Sequence, residues 1–175
     1  MIRAWRYSVV AALCCYALPA FACNGQTAWV ELRVSAPEAS KLGARVIGID
    51  REGCTEAYFP LQDRRHGSWV GRNNPALADR LAIALKVLRF DQSRLDWVSN
   101  RHAESGTGAA RALSVDGESR TLIWSADGHT QQLRTPSLAF LRKAAAGSSE
   151  IAALLGVVEL IEARAQPSTL QRVPD

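Results

Sequence analysis

Residues 112–134 read ALSVDGESRTLIWSADGHTQQLR. Two turn dipeptides, Asp116-Gly117 and Asp127-Gly128, divide this stretch, with Arg111 before it, into RALSV, SRTLIWS and HTQQLR. Asp-Gly suits a two-residue turn in which both central residues take positive φ, and that turn matches the twist of the strands it joins. Within SRTLIWS, Leu122 and Trp124 fall on one face and Ile123 on the other, which is the period of two that a pleated strand imposes. The expectation is a three-stranded antiparallel meander. Such a sheet has one apolar face and needs other elements to cover it.

The flanking segments supply candidates. Downstream, Thr135 and Pro136 read as the start of a helix with Leu138, Leu141 and Ala145 as its stripe and Gly147 as its stop. Ser148 or Ser149 caps a last helix to about Ala165, with Ile151, Leu154, Leu155, Val158 and Ile161 on one face. Val157 and Leu160 widen that face, so burial on two sides is expected. Upstream, Asn74 and Pro75 form a cap followed by a residue suited to the first helical position. Leu77, Leu81, Ile83, Ala84, Leu85 and Leu88 follow, and this helix is expected to reach about Phe90. Residues 94–99, RLDWVS, alternate and read as a strand.

Further upstream, 27–35 (TAWVELRVS), 44–50 (ARVIGID) and 55–61 read as three more strands, the last ended near Pro60. Trp69 and Val70 suggest a short edge strand. The fold class is therefore α+β: an antiparallel sheet of about five to seven strands packed against two or three helices, with one disulfide. One domain covers 23–165, and the polar residues 166–175, holding Pro167 and Pro174, are expected to be a disordered tail.

The first 22 residues stand apart. Arg3 and Arg6 precede the apolar run YSVVAALCCYAL (7–18), and Ala20-Phe21-Ala22 fits the small-residue cleavage pattern of a secretory signal peptide. The run is shorter than the roughly 20 residues that span a bilayer. The expected mature chain starts at Cys23 and is periplasmic or secreted. Acylation of Cys23 is the other reading, but Ala20 and Phe21 stand where lipoprotein signals usually carry leucine and a small residue. Cys14 and Cys15 leave with the leader, so Cys23 and Cys54 are the expected disulfide in an oxidising compartment. That bridge closes a loop of 32 residues from Cys23 to Cys54, worth roughly 3–4 kcal/mol if unstrained.

Charge excludes some classes. The full chain carries +4, and removing Arg3 and Arg6 leaves about +2, too mild for a nucleic-acid or membrane-surface protein. The pattern suggests no cofactor and no metal, since two isolated cysteines without a nearby histidine do not make a zinc site.

Candidate binding residues cluster in 63–74, DRRHGSWVGRNN. Arg64, Arg65 and Arg72 bring forked donors suited to carboxylate or phosphate. His66 and Trp69 add an imidazole and an indole, and tryptophan and arginine are enriched in interface hot spots. The glycines of 100–111, NRHAESGTGAAR, lack the Gly-Lys-Ser/Thr of a phosphate loop. His66, His102 and His129 accompany no hydrolase motif. Asp91 with Asp96, and Glu52 with Glu56, read as surface charge, and Trp29, Trp69, Trp97 and Trp124 as sheet packing. The expected function is an exported, non-catalytic protein that binds another macromolecule, such as an inhibitor, an immunity-type partner or an envelope-assembly factor. The alternative is a small secreted hydrolase using His66 or His102 as base. A small-ligand carrier would need an apolar cavity under the last helix.

Overall fold

The computed structural model describes residues 28–35, 44–88, 91–97, 118–135 and 137–174. Strands β1 (Val30–Ser35), β2 (Arg45–Ile49), β3 (Thr55–Phe59) and β4 (Gly67–Gly71) come first, followed by α1 (Pro75–Val87) and the short helix α2 (92–97). Strands β5 (Ser119–Ala126) and β6 (His129–Thr135) precede α3 (Leu138–Ala145) and α4 (Ser149–Arg164), and β7 (Leu170–Arg172) closes the described chain. The seven strands form one sheet in the order β6-β5-β1-β2-β3-β4-β7, and every neighbouring pair is antiparallel.

The expected strand alternation sets which face is covered. Leu32 is opposite Ile47 on one side and Leu122 on the other, and Ile47 is opposite Ala57. All four are buried, as are Val30, Val34, Ile49, Phe59, Trp124 and Leu133 on the same face. They join Leu77, Leu81 and Leu85 of α1, Leu141 of α3 and Leu154, Val158 and Ile161 of α4 in one core. Each full burial of such a side chain stabilises by ~1.5–3 kcal/mol. The intervening residues Glu31, Arg33, Gly48, Glu56, Tyr58, Ser68 and Ile123 are at least partly exposed. Helices therefore cover one face and leave the other open, the α+β arrangement.

Local chemistry explains the turns. Asp127 and Gly128 have φ of 51° and 77°, the paired positive values of the expected hairpin turn. In the β2–β3 turn, Asp50 Oδ1 accepts from the amides of Glu52 and Cys54, both at 2.9 Å. Gly53 has φ 80°, and a Cβ there would lie 1.9 Å from the Asn74 carbonyl oxygen. No other residue fits, and this contact seats the turn against the start of α1. Asn74 caps α1 by accepting from the Leu77 amide at 3.1 Å.

Several features differ from the sequence expectations. Residues 92–97 are helical, not a strand, because Asp91 Oδ1 accepts the Arg94 amide at 2.9 Å and so caps a turn there. Leu95 is buried while Trp97 is half exposed, so their alternation is not that of a sheet face. The described residues thus hold four helices rather than two or three. α3 is capped by Ser137, which accepts from Phe140 at 3.1 Å; Thr135 stays in β6. In α1, Ile83 is exposed, because Leu77, Leu81 and Leu85 repeat every four residues and Ile83 lies across the helix from them. Residues 166–174, expected as a tail, turn and deliver β7, whose buried Leu170 pairs with Gly71. β4 is consequently not an edge strand. Residues 112–117, the expected first strand of the meander, lie outside the described residues.

One buried ion pair ties sheet to helix. Arg120, only 6% exposed, donates from Nε to Glu162 of α4 at 2.7 Å and from Nη1 to the Glu118 carbonyl at 3.2 Å. Removing one partner of such a pair costs far more than the pair contributes, because the other charge is left buried.

Candidate functional site

The polar loop before β4 is built around Arg65. Asp63 Oδ1 accepts the Arg65 amide at 2.9 Å, bending the chain back. The Arg65 fork then closes on the same carboxylate, with Nε to Oδ1 at 3.2 Å and Nη2 to Oδ2 at 3.1 Å. Nη1 donates to the Ala165 carbonyl, the C-cap of α4, at 3.1 Å. A cation at a helix C-terminus meets the negative end of its dipole. The guanidinium also lies 3.9 Å over the Phe59 ring. The Arg65 hydrogen bond holds the Asp63 carboxyl below its usual value, outweighing the desolvation that raises it, with further help from Arg45.

Trp69 joins the same cluster. Its Nε1 donates to the Arg65 carbonyl at 2.6 Å, and its ring meets Phe59 edge-on at 6.3 Å. Arg65 and Trp69 thus have internal partners: they fasten the loop to α4. Arg64 and His66 beside them are exposed. Arg72 is exposed past the other end of β4, six residues on from His66 and so about 20 Å away along the strand. The five residues do not converge on one point.

Arg72 lines a different feature. A polar cleft of about 580 Å³ runs between β4, β7 and the start of α1, lined by Thr55, Arg72, Asn73, Asn74, Arg164, Ser168 and Gln171 among others. Arg164 belongs to the last turn of α4. It is brought here because Thr169 Oγ1 donates to its carbonyl at 2.7 Å and closes the turn into β7. Nothing local in the sequence marks Arg164; the turn into β7 brings it to the same cleft as Arg72.

The open sheet face carries a second depression of about 470 Å³. Its apolar lining includes Ala28, Val46, Tyr58, Trp69, Val70 and Val173, with Glu56 and the Arg33-paired Glu31 at its sides. Tyr58 is 48% exposed. Gly48 lies between Glu31 and Glu56 in the ladder and leaves the floor bare. Strand alternation alone could have marked Tyr58 as lying opposite Phe59, but not that its neighbours were apolar.

The remaining candidates are dispersed. His66 and His129 are exposed, and neither imidazole is paired with an acid among the described residues. His102, the glycines of 100–111 and Cys23 lie outside those residues. Cys54 is buried, with Sγ 3.6 Å from the Gly71 carbonyl oxygen. Asp91 caps α2 and Asp96 accepts from Gln92 at 2.7 Å. Trp124 is core, whereas Trp29 is half-buried with Nε1 donating to the Ser125 carbonyl at 2.9 Å and Arg51 over its ring. Among the described residues, no group of three His, Cys, Asp or Glu side chains is placed to hold a metal, and no helix is long and apolar enough to cross a membrane. Comparison with protein-family models, curated proteins and solved structures finds no match to this chain.

Proposed function

We propose that this chain is an exported, non-catalytic protein that binds another macromolecule, and that its partner is a polypeptide seated on the open face of the sheet. The groove around Tyr58 carries this reading. Apolar side chains left in a concave, acid-flanked surface favour a partner that supplies apolar side chains with a base beside them. Glu56 provides the complementary charge, while Glu31 across Gly48 is ion-paired with Arg33. An inhibitor, an immunity-type partner or an envelope-assembly factor fits this description.

Export rests on the leader at 1–22, and it makes the Cys23–Cys54 disulfide part of the proposal. Cys54 lies buried beside the Gly53 turn that packs on Asn74. A bridge from there would hold the mature N-terminus against the β2–β3 turn. The intact mass of the protein recovered from its host's envelope tests both points. It should match a chain beginning at Cys23, lighter by two hydrogens than the reduced form. A lipid-sized excess on Cys23 would overturn the disulfide.

The binding reading is tested by cross-linked capture from the same envelope fraction, comparing the mature protein with Tyr58→Arg/Val70→Asp and with Lys143→Gln. A stoichiometric partner held by the first and last, and lost from the groove variant, is expected. Capture unaffected by the groove variant would remove the open face as the binding surface.

A further inference from the structure

We propose that the outer edge of β6 pairs with β6 of a second copy of this chain, joining the two sheets edge to edge. This goes beyond the groove reading and does not depend on it. The two edges of the sheet differ. β7 is three residues long and is soon followed by Pro174, and shortness and proline both blunt an edge against pairing. β6 is seven residues long, and its first four, His129, Thr130, Gln131 and Gln132, include no lysine, proline or acid. All four are exposed, although Gln131 lies on the same face as the buried Trp124 and Leu133. The helix layer therefore stops short of this end of the strand and leaves room beside it.

The backbone at this edge is set by the hairpin. The Asp127-Gly128 turn makes Ala126 and His129 a hydrogen-bonded pair. Alternate residues, Thr130, Gln132 and Arg134, then point their amides and carbonyls away from β5. At Arg134 these groups are taken: the amide donates to Gln92 Oε1 at 2.6 Å, and the carbonyl accepts from Gln92 Nε2 at 3.1 Å. One side-chain amide of α2 thus does what a neighbouring strand would do, and it closes the edge there. Among the described residues, nothing takes the outward groups of Thr130 and Gln132. A second copy, related by a two-fold axis through the sheet, runs antiparallel and lays its own Thr130 and Gln132 against them, a self-complementary match. Thr130, Gln131 and Gln132 carry no charge, so no like charges meet across the axis. At each end of the contact, Arg134 comes beside the second copy's Asp127-Gly128 turn, where that strand turns away from the edge that Gln92 closes. Neither Arg134 nor Asp127 has an ion-pair partner among the described residues, so the ends complement one another in charge.

The contact is small, so the dimer is weak and is sought at high concentration. The test is sedimentation equilibrium of the mature protein up to about 1 mM, with amide hydrogen exchange at Thr130 and Gln132 followed by NMR at the same concentrations. The expected result is a reversible monomer–dimer equilibrium, with exchange at these two amides slowing several-fold as the dimer fills. Thr130→Lys/Gln132→Lys places like charges across the axis and should weaken the dimer at least tenfold, whereas Lys143→Gln should leave it unchanged. Gln132→Pro is read beside the lysine pair: it removes only an outward amide, keeps the β5 ladder, and should weaken the dimer as well. Gln92→Ala opens the edge at Arg134 and should tighten the dimer several-fold. A monomer throughout, or a dimer indifferent to both the lysine pair and the proline, would overturn the pairing. Tyr58→Arg should not change the dimer; loss of the dimer in that variant would place the contact on the open face and overturn the β6 edge, while an unchanged dimer leaves the groove reading to its own test.

Discussion

Phe59 and Tyr58 are neighbours on β3 and lie on opposite faces of the sheet. Phe59 is 1% exposed and Tyr58 48%. On the covered side, Phe59 touches Trp69 and lies under the Arg65 guanidinium, so one ring supports both the core and the loop. On the open side, Tyr58 lines a groove whose neighbours include Val46, Val70 and Val173. The same one-residue step separates Leu32 from Glu31 and Leu122 from Ile123. One face holds the fold together, and the other is left exposed to solvent. An antiparallel sheet permits this because its faces need not both be buried.

The largest effect should appear when that contrast is broken. Phe59→Ala is expected to cost about 3–5 kcal/mol in urea unfolding, since it leaves a cavity as well as removing buried area. Tyr58→Ala should cost under about 1 kcal/mol, the usual range for exposed positions. Equal losses at the two sites would mean that Tyr58 is covered in solution, by another copy or by a partner.

The next comparison lies within the loop. Arg65→Ala removes hydrogen bonds to Asp63 and to Ala165 and is expected to cost about 2 kcal/mol, whereas Arg64→Ala should stay within about 0.5 kcal/mol. Asp63 gives the pH signature. Its folded pKa is lowered, chiefly by Arg65. Its contribution is therefore full above the unfolded value of about 3.9, and is lost as pH falls through the folded one. Asp63→Asn should lower stability at pH 7 and narrow the gap between pH 7 and pH 3. An unchanged gap, measured by urea unfolding at both values, would show that the Asp63–Arg65 clasp is not maintained in solution.

This pair also shows how far the sequence could be read. The β5–β6 hairpin and α1 were legible because their signals are local: Asp127-Gly128 fixes a turn, and Asn74-Pro75 fixes a helix start. Residues 92–97 were misread because Leu95 and Trp97 alternate like a strand, while the decisive contact is one cap from Asp91. Thr135 and Ser137 flank Pro136 and are both able to cap, so placement of the α3 start needed the β6 register. β7 was invisible because a short, mostly polar segment becomes a strand only when β4 presents its edge. The site divides in the same way. Nothing in 63–74 tells Arg65 from Arg64; the Ala165 carbonyl does, from 100 residues away. Arg164 entered the picture only through β7.

The smallest effect concerns α4, read from sequence as buried on two sides. Val157 and Val158 are 1% and 0% exposed, yet Gly156 beside them is exposed. Ala152, Glu159 and Ala163 are exposed with it, so a stripe along this otherwise buried helix faces away from the core. A Cβ at Gly156 would meet nothing within 4 Å, and its backbone is helical. The substitution Gly156→Ala therefore adds helix propensity without a clash, and should stabilise by about 0.5–1 kcal/mol. The measurement is a urea midpoint at unchanged slope, since a changed slope would reflect a different amount of buried surface. A loss of stability instead would place another surface against this stripe, and the helix layer would then share the two-sided burial that the sequence suggested.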